Sequence, residues 1–296
     1  MNVMELTRTC DELQDYLAAA PRPLGLVPTM GYLHEGHLAL VRRAREECAA
    51  VGVSIFVNPA QFGPQEDLAR YPRDLERDLR LLDGAGADVV WAPDAAEVYP
   101  PGYQTYIDLE AISRPLEGTS RPGHFRGVAT VVAKLFNIFS PEKAYFGQKD
   151  AQQVAVIRRM ARDLDFPLSI VVCPTVRESD GLAMSSRNTY LNGEERRAAP
   201  VLYRALSAAQ ESSRNGERDG EALRSVMRAA LAAEPLARTE YVSVADPDTL
   251  DELARVDRSG LFSLAVRIGR TRLIDNFLLA NGTWETGVTI EKHGEK

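Results

Sequence analysis

Nothing in the 296-residue sequence approaches the roughly 20 consecutive apolar residues that a membrane-spanning helix needs. The longest candidate, GVATVVAKLFNIF, is interrupted by Lys134 and Asn137. Cysteine is scarce: Cys10, Cys48 and Cys173 are odd in number and widely spaced, which excludes a disulfide framework or a CxxC metal knuckle and fits buried small hydrophobes in a reducing compartment. A positive surplus is lacking too. The 35 Lys and Arg against 42 Asp and Glu leave a net charge of -7, so the overall field opposes nucleic acid and anionic membranes, and any bound phosphate must be held locally. The first twenty residues carry acidic side chains where a secretory signal needs a basic start and an apolar core, so a cytoplasmic location is expected. No GxxxxGK[ST], GxSxG or strand-following dinucleotide fingerprint occurs, and no internal repeat. What is present, 45% hydrophobic and 26% charged residues, describes an ordinary folded chain long enough for two domains.

From residue 22 to about 176, short β-branched runs alternate with helical patterns. Strands are expected at 24–29, 51–58, 87–93, 143–148 and 168–174. Between them, EGHLALVRRAREECAA places Leu38, Val41 and Ala44 on one face, RGVATVVAKLFNIF aligns Val128, Val131, Val132, Leu135 and Phe139, and DAQQVAVIRRMARDL stacks Val154, Ile157, Met160 and Leu164. Right-handed crossovers turn this alternation into a doubly wound parallel sheet, whose ligands bind beyond the carboxyl ends of the strands. After Asn188 the pattern changes to two helices, 192–213 and 220–234, and strand-like runs at 241–246, 263–269 and 271–280, a smaller α+β domain. The expected division is 1–176, 177–283 and a fraying tail, 284–296.

Four polar clusters interrupt this pattern. PTMGYLHEGHLAL, 28–40, runs from a strand past His34 into a helix at Gly36 and His37, where glycines and a helix amino terminus suit an anion. Histidines three apart can also share zinc, but no Cys, Asp or third His lies nearby to complete that site. VNPAQFGPQEDLARYPRD, 57–74, is a shaped loop carrying Asn58 and Gln61. YFGQKDAQQ, 145–153, sets Lys149 beside Gly147 at another strand-to-helix junction, followed by Gln152 and Gln153, of which only one can face a cleft. PTVRESDGLAMSSRNTYL, 174–191, offers consecutive hydroxyls and a guanidinium as a phosphate clamp, although a domain linker would have similar composition.

PTMGYLHEGH followed far downstream by MSSRN resembles the HxGH and KMSKS-type pair of a nucleotidyltransferase superfamily. With NPAQF, FGQKDAQQ and the stretch from Arg177 to Asn188, the sequence resembles the pantoate–beta-alanine ligase family over Pro28 to about Leu279. That resemblance implies a Rossmann-like domain with a smaller carboxyl-terminal lid domain, assembled as a homodimer. It implies a coenzyme A precursor pathway enzyme: ATP-dependent condensation of (R)-pantoate with beta-alanine, through a pantoyl-adenylate, giving pantothenate, AMP and pyrophosphate. The alternative is another HxGH-type adenylyl- or cytidylyltransferase, against which NPAQF and FGQKDAQQ speak.

Carried over residue by residue, the resemblance assigns ATP binding to Met30, Gly31, Tyr32, Leu33, His34, Glu35, Gly36 and His37, to Gly147, Gln148, Lys149 and Asp150, to Val176, and to Met184, Ser185, Ser186 and Arg187. His34, His37, Lys149 and Arg187 are the implied catalytic residues, with His37 as proton donor. Gln61 and Gln153 match pantoate-binding positions, Gln61 also lying near beta-alanine. Mg2+ is expected to accompany ATP by bridging its phosphates, with Asp78 as a candidate ligand that a solvated helix face explains equally well.

Overall fold

A computed structural model describes residues 4–64 and 66–290, which divide into two units: one runs to Gly147 and resumes from Gln152 to Cys173, the other holds Gln148–Ala151 and everything from Pro174. The boundary expected at 176/177 thus lies at 173/174. Four residues of the FGQKDAQQ cluster count with the second unit rather than the first.

The first unit runs β1 (Glu5–Thr7), α1 (Cys10–Ala19), β2 (Leu24–Thr29), α2 (Glu35–Glu47), β3 (Ala50–Ile55), α3 (Leu75–Ala85), β4 (Val89–Trp91), α4 (Ala95–Val98), α5 (Glu117–Ser120), α6 (His124–Phe139), β5 (Lys143–Gly147), α7 (Ala151–Asp163) and β6 (Ser169–Cys173). Its six strands are all parallel, in the order β1-β4-β3-β2-β5-β6. The direction of winding reverses between β2 and β5, the switch point at which such sheets bind ligands.

Two strand glycines explain how helices cover both faces. A Cβ on Gly25 would lie 3.0 Å from Cys48 Sγ and 3.2 Å from the Ala44 Cβ of α2, whereas one on Gly52 would lie 2.6 Å from the Phe139 ring of α6. Adjacent positions on a strand point to opposite faces, and Gly25 pairs with Val51, one residue before Gly52. So α2 and α6 press on opposite sides of the sheet. Val27, Leu38, Val41, Ala44, Val51, Val53, Leu82 and Val90 form the buried core on the α2 and α3 side.

The second unit comprises β7 (Val176–Arg177), α8 (Gly193–Ala198), α9 (Val201–Arg214), α10 (Gly220–Ala232), β8 (Ala237–Ala245), β9 (Gly260–Ile268), β10 (Thr271–Ala280), β11 (Thr283–Glu285) and β12 (Val288–Thr289). The helix expected over 192–213 is two helices, because Pro200 has no N–H to continue the ladder and instead caps α9. β8 to β11 form an antiparallel sheet in the order β11-β10-β9-β8, packed through Phe262, Leu264, Val266 and Phe277 against Leu202, Leu206, Leu223 and Met227 of α9 and α10. The tail expected to fray from 284 is ordered as far as the description goes. β11 pairs with β10, and β12 pairs in parallel with β7 through Val288–Val176 and Thr289–Arg177. Residues 291–296 lie outside the described residues.

Candidate functional site

β2, β3 and β5 are neighbours, and the polar clusters continue directly from their carboxyl ends: Met30 follows β2, Asn58 follows β3 and Gly147 ends β5. After β2 the backbone turns through positive φ at Gly31 (81°) and Tyr32 (50°). That turn is held from a distance. Asp78, in the first turn of α3 and only 1% exposed, accepts the N–H of Tyr32 at 2.6 Å on one carboxylate oxygen and that of Leu33 at 2.8 Å on the other. Burial pushes its carboxyl above the ordinary range, outweighing the two N–H donors and the Arg77 guanidinium that pull the other way.

His34 caps α2, its Nδ1 accepting from the Gly36 N–H at 3.2 Å, and the His37 Nδ1 accepts from the His34 N–H at 3.3 Å. The two rings lie 4.1 Å apart, centroid to centroid. Because each Nδ1 is an acceptor, each neutral ring carries its proton on Nε2, so both imidazoles present Nε2–H as a donor. At the same helix end, the first N–H groups of α2 add partial positive charge.

The loop after β3 is tied to this first motif. Gln61 closes a 3-10 turn, Pro59–Gln61, and its Nε2 lies 3.1 Å from Met30 Sδ. Its Oε1 accepts from Asn58 Nδ2 at 3.0 Å, the same amide donates to the Gly127 carbonyl at 3.1 Å, and Asn58 Oδ1 accepts from the Tyr99 hydroxyl at 2.8 Å. Gly127 must lack a side chain: a Cβ there would lie 2.2 Å from the Ala60 carbonyl oxygen.

Behind the loop stands His124, whose Nδ1 is 2.8 Å from the Gln61 carbonyl and whose Nε2 is 3.0 Å from Arg121 Nη1. Arg121 itself grips both carboxylate oxygens of Glu66, at 2.8 and 2.6 Å. Since guanidinium can only donate, His124 Nε2 must accept and Nδ1–H must donate to Gln61, which fixes the neutral tautomer. Burial, then the Arg121 charge, push its pKa down from 6.5 to about 4.

Of the two glutamines opening α7, Gln152 is buried and spent on the backbone: it accepts from the Glu117 N–H at 3.0 Å and donates to the Ile112 and Pro115 carbonyls at 3.2 and 2.8 Å. Gln153 is half-buried, and its side chain makes no hydrogen bond among the described residues. The expectation that one of the pair faces a cleft therefore falls on Gln153.

In the second unit, the turn Gln148–Asp150 holds Lys149 with Nζ 3.8 Å from the Asp150 carboxylate, while the buried Gln148 side chain donates to Asn276 of β10 at 3.0 Å. Val176 is buried in β7, its carbonyl accepting from the Met184 N–H at 3.0 Å. Ser185 caps the 3-10 turn Ser186–Tyr190 by accepting from the Arg187 N–H, and Asn188 donates to the Ala183 carbonyl. Among the described residues no group of three or more His, Cys, Asp or Glu side chains could hold a metal.

A family model described as pantoate-beta-alanine ligase matches residues 5–278. The chain belongs to the pantoate–beta-alanine ligase family. It is a ligase, joining pantoate to beta-alanine. It is 65% identical over 276 residues to pantothenate synthetase of Roseiflexus castenholzii, covering 93% of this chain and 99% of that one, and 55% identical over 279 residues to the pantothenate synthetase of Moorella thermoacetica, with coverage of 93% and 99%. The solved pantothenate synthetase of Thermus thermophilus superposes with a TM-score of 0.90 at 50% identity, covering 94% of this chain and all of that one. A pantoate-beta-alanine ligase from Francisella tularensis, solved with beta-gamma ATP and beta-alanine, superposes at 0.77 with 34% identity, covering 93% and 98%.

Within the first unit Met30 meets Gln61 and His34 meets His37, and Gln148, Lys149 and Asp150 share the second unit with Val176 and Met184 to Arg187. Sequence reasoning noted Asn58 without giving it a role and passed over Tyr99, His124 and Asn276. Asn58 stood in the NPAQF cluster and could have been taken with Gln61. The other three have no local signal, because the contacts that tie them to Asn58, Gln61 and the Lys149 turn cross 41 or more positions of chain.

Proposed function

We propose that the condensation proceeds in two displacements on the residues described above. In the first, a pantoate carboxylate oxygen attacks the α-phosphorus of ATP, the bond to the bridging oxygen breaks, and pyrophosphate leaves. In the second, the beta-alanine amine attacks the acyl carbon of the pantoyl-adenylate, the bond to AMP breaks, and the amine loses its proton. Both steps depend chiefly on positioning and charge stabilisation.

His34 and His37 donate Nε2–H to phosphate oxygens as negative charge moves toward pyrophosphate, with His37 the proton donor. Lys149 supplies a point charge, and Met184, Ser185, Ser186 and Arg187 close on the phosphates, with Gly147, Gln148, Asp150 and Val176 against the nucleotide. Gln61 and Gln153 hold pantoate, and Gln61 also borders beta-alanine. Neutral amides orient a carboxylate without an ion pair that would lower its nucleophilicity. Magnesium would arrive with ATP and supply charge neutralisation at its phosphates; both Asp78 oxygens already accept loop N–H groups, which gives that side chain a shaping role instead of the metal role.

The observation that carries this reading is the contact of Gln61 with Met30, which sets the amide-bearing loop against the HxGH segment within one unit. We extend it to a homodimer in the cytoplasm; three unpaired cysteines support a reducing compartment, and no helix among the described residues is long and apolar enough to cross a membrane. Light scattering checks the dimer. The decisive assay follows pyrophosphate release with ATP and magnesium, adding pantoate and then beta-alanine. A pantoate-dependent burst that becomes steady turnover only with beta-alanine is expected; release that ignores pantoate would sink the assignment.

A further inference from the structure

Asn276 is 3% exposed in the middle of β10, where an apolar residue would be the ordinary choice. Every arm of its carboxamide is spent on the Lys149 turn. Nδ2 donates to the Gln148 carbonyl at 3.0 Å and the Lys149 carbonyl at 2.9 Å, and Oδ1 accepts from Gln148 Nε2 at 3.0 Å. Those two carbonyls belong to the peptide planes on either side of the Lys149 Cα. Fixing both planes fixes φ and ψ of Lys149, and with them the direction in which its Cα–Cβ bond leaves the chain.

Asn276 is held just as firmly. The neighbouring Asp275 accepts the Asn276 N–H at 2.8 Å and chelates Arg177 at 2.7 and 2.9 Å. Arg177, 1% exposed, uses all five of its N–H donors, giving the others to the carbonyls of Gly181, Thr286 and Asn276. The Tyr203 and Phe277 rings lie 5.0 and 5.2 Å from its guanidinium carbon. A buried ion pair of this kind adds little to stability over an apolar replacement, so a fully satisfied one fits a role in fixing geometry.

We infer that Asn276 is a positioning residue for the ligase reaction, aiming Lys149 by gripping the two peptide carbonyls that flank it. This rests on the phosphate-binding role proposed for Lys149. A small swing of the Cα–Cβ bond is multiplied along the four-methylene side chain, and misplacement by about 1 Å can cost on the order of 100-fold in rate.

The test is a double-mutant cycle on the full-length enzyme, read separately in the two half-reactions. Asn276→Ala should lower kcat/KM of ATP-dependent adenylate formation by about 10- to 100-fold while leaving aminolysis of supplied pantoyl-adenylate within about threefold. In a Lys149→Ala background the same change should cost under about threefold, because the side chain it aims is gone. Asn276→Ser, which keeps one donor, should recover part of the loss. A full, additive cost of Asn276→Ala in the Lys149→Ala background overturns the inference, as does equal damage to both half-reactions. An unimpaired Lys149→Ala single variant would instead remove the phosphate role on which the inference stands. Failure of both Asn276 variants to fold would make the residue a plain core element and overturn it as well.

Discussion

Acid should undo the support beneath Gln61 in a defined pH window, through His124. The folded protein holds this imidazole neutral, its pKa pushed from 6.5 to about 4 by burial and by Arg121, while Gln61, Glu66 and Glu117 offset part of that. The unfolded chain therefore binds a proton between about pH 6.5 and pH 4 that the folded chain refuses. Stability thus rises with pH across the window and is lost as pH falls from above 6.5 toward 4. At about 1.4 kcal/mol per pKa unit, the loss reaches about 3 kcal/mol at the lower end.

Trp91, buried in the same unit as His124, reports on it. The sequence has one other tryptophan, Trp284, so a Trp284→Phe background makes the fluorescence specific. Urea denaturation at pH 7.5, 6.5, 5.5 and 4.5 should show the loss in that background. Adding His124→Asn, whose amide can donate to the Gln61 carbonyl but cannot titrate, should flatten the profile. Ion-paired carboxylates such as Glu47, held at about 2 chiefly by hydrogen bonds from Lys143 and Arg43, lose their contribution only as pH falls below 4.5, so the difference between the variants isolates the histidine. Parallel profiles, within about 0.5 kcal/mol from pH 6.5 to 4.5, would refute the reasoning, since ordinary surface substitutions fall inside that margin.

Three further outcomes are expected. Gly127→Ala, which helix propensity alone would make stabilising by about 1 kcal/mol, should destabilise by about 1–3 kcal/mol through overpacking, because the new Cβ meets the Ala60 carbonyl. It should also raise the pantoate KM; a higher melting temperature with wild-type kinetics would contradict this. Tyr99→Phe removes the hydroxyl that donates to Asn58 and should cost about 1 kcal/mol, raising the pantoate KM several-fold and leaving the ATP KM unchanged in steady-state assays. Asp78→Asn turns one acceptor into a donor against a backbone N–H, at a cost of about 1–3 kcal/mol, and should raise the ATP KM by roughly 10-fold; magnesium dependence should be unchanged, and a shifted magnesium optimum would return Asp78 to the metal.

The strands that host the site were legible where burial is complete. β2 runs over the residues expected, because a strand covered on both faces reads as a near-continuous apolar run, and β10 runs over its expected residues with buried and half-buried positions largely alternating. β1 escaped notice, since three residues with only Thr7 buried carry no periodicity. β11 and β12 escaped because their polar sequence is held by pairing with β10 and β7, which local composition cannot express. The HxGH segment and Gln61 were visible as glycine-bearing polar clusters at strand ends. Asp78 was named only as a candidate magnesium ligand that a solvated helix face would explain equally well, and only the fold brings it under Tyr32 and Leu33. Gln152 and Gln153 could not be told apart until the 112–117 loop claimed the first.

The two loops named for the nucleotide share one way of being held. Asp78 grips the amides of Tyr32 and Leu33, and Asn276 grips the carbonyls of Gln148 and Lys149, so Asp78 reads no side chain of the turn it supports and Asn276 reads only that of Gln148. Shape and chemistry are therefore separable in this scaffold. The loop side chains other than that of Gln148 can be exchanged, by drift or by a designer seeking a different acid or nucleotide, without unmaking the turn that presents them, whereas the anchors tolerate no such freedom. A library that varies Tyr32 or Lys149 and leaves Asp78 and Asn276 alone should retain folded proteins at a far higher rate than one that does the reverse.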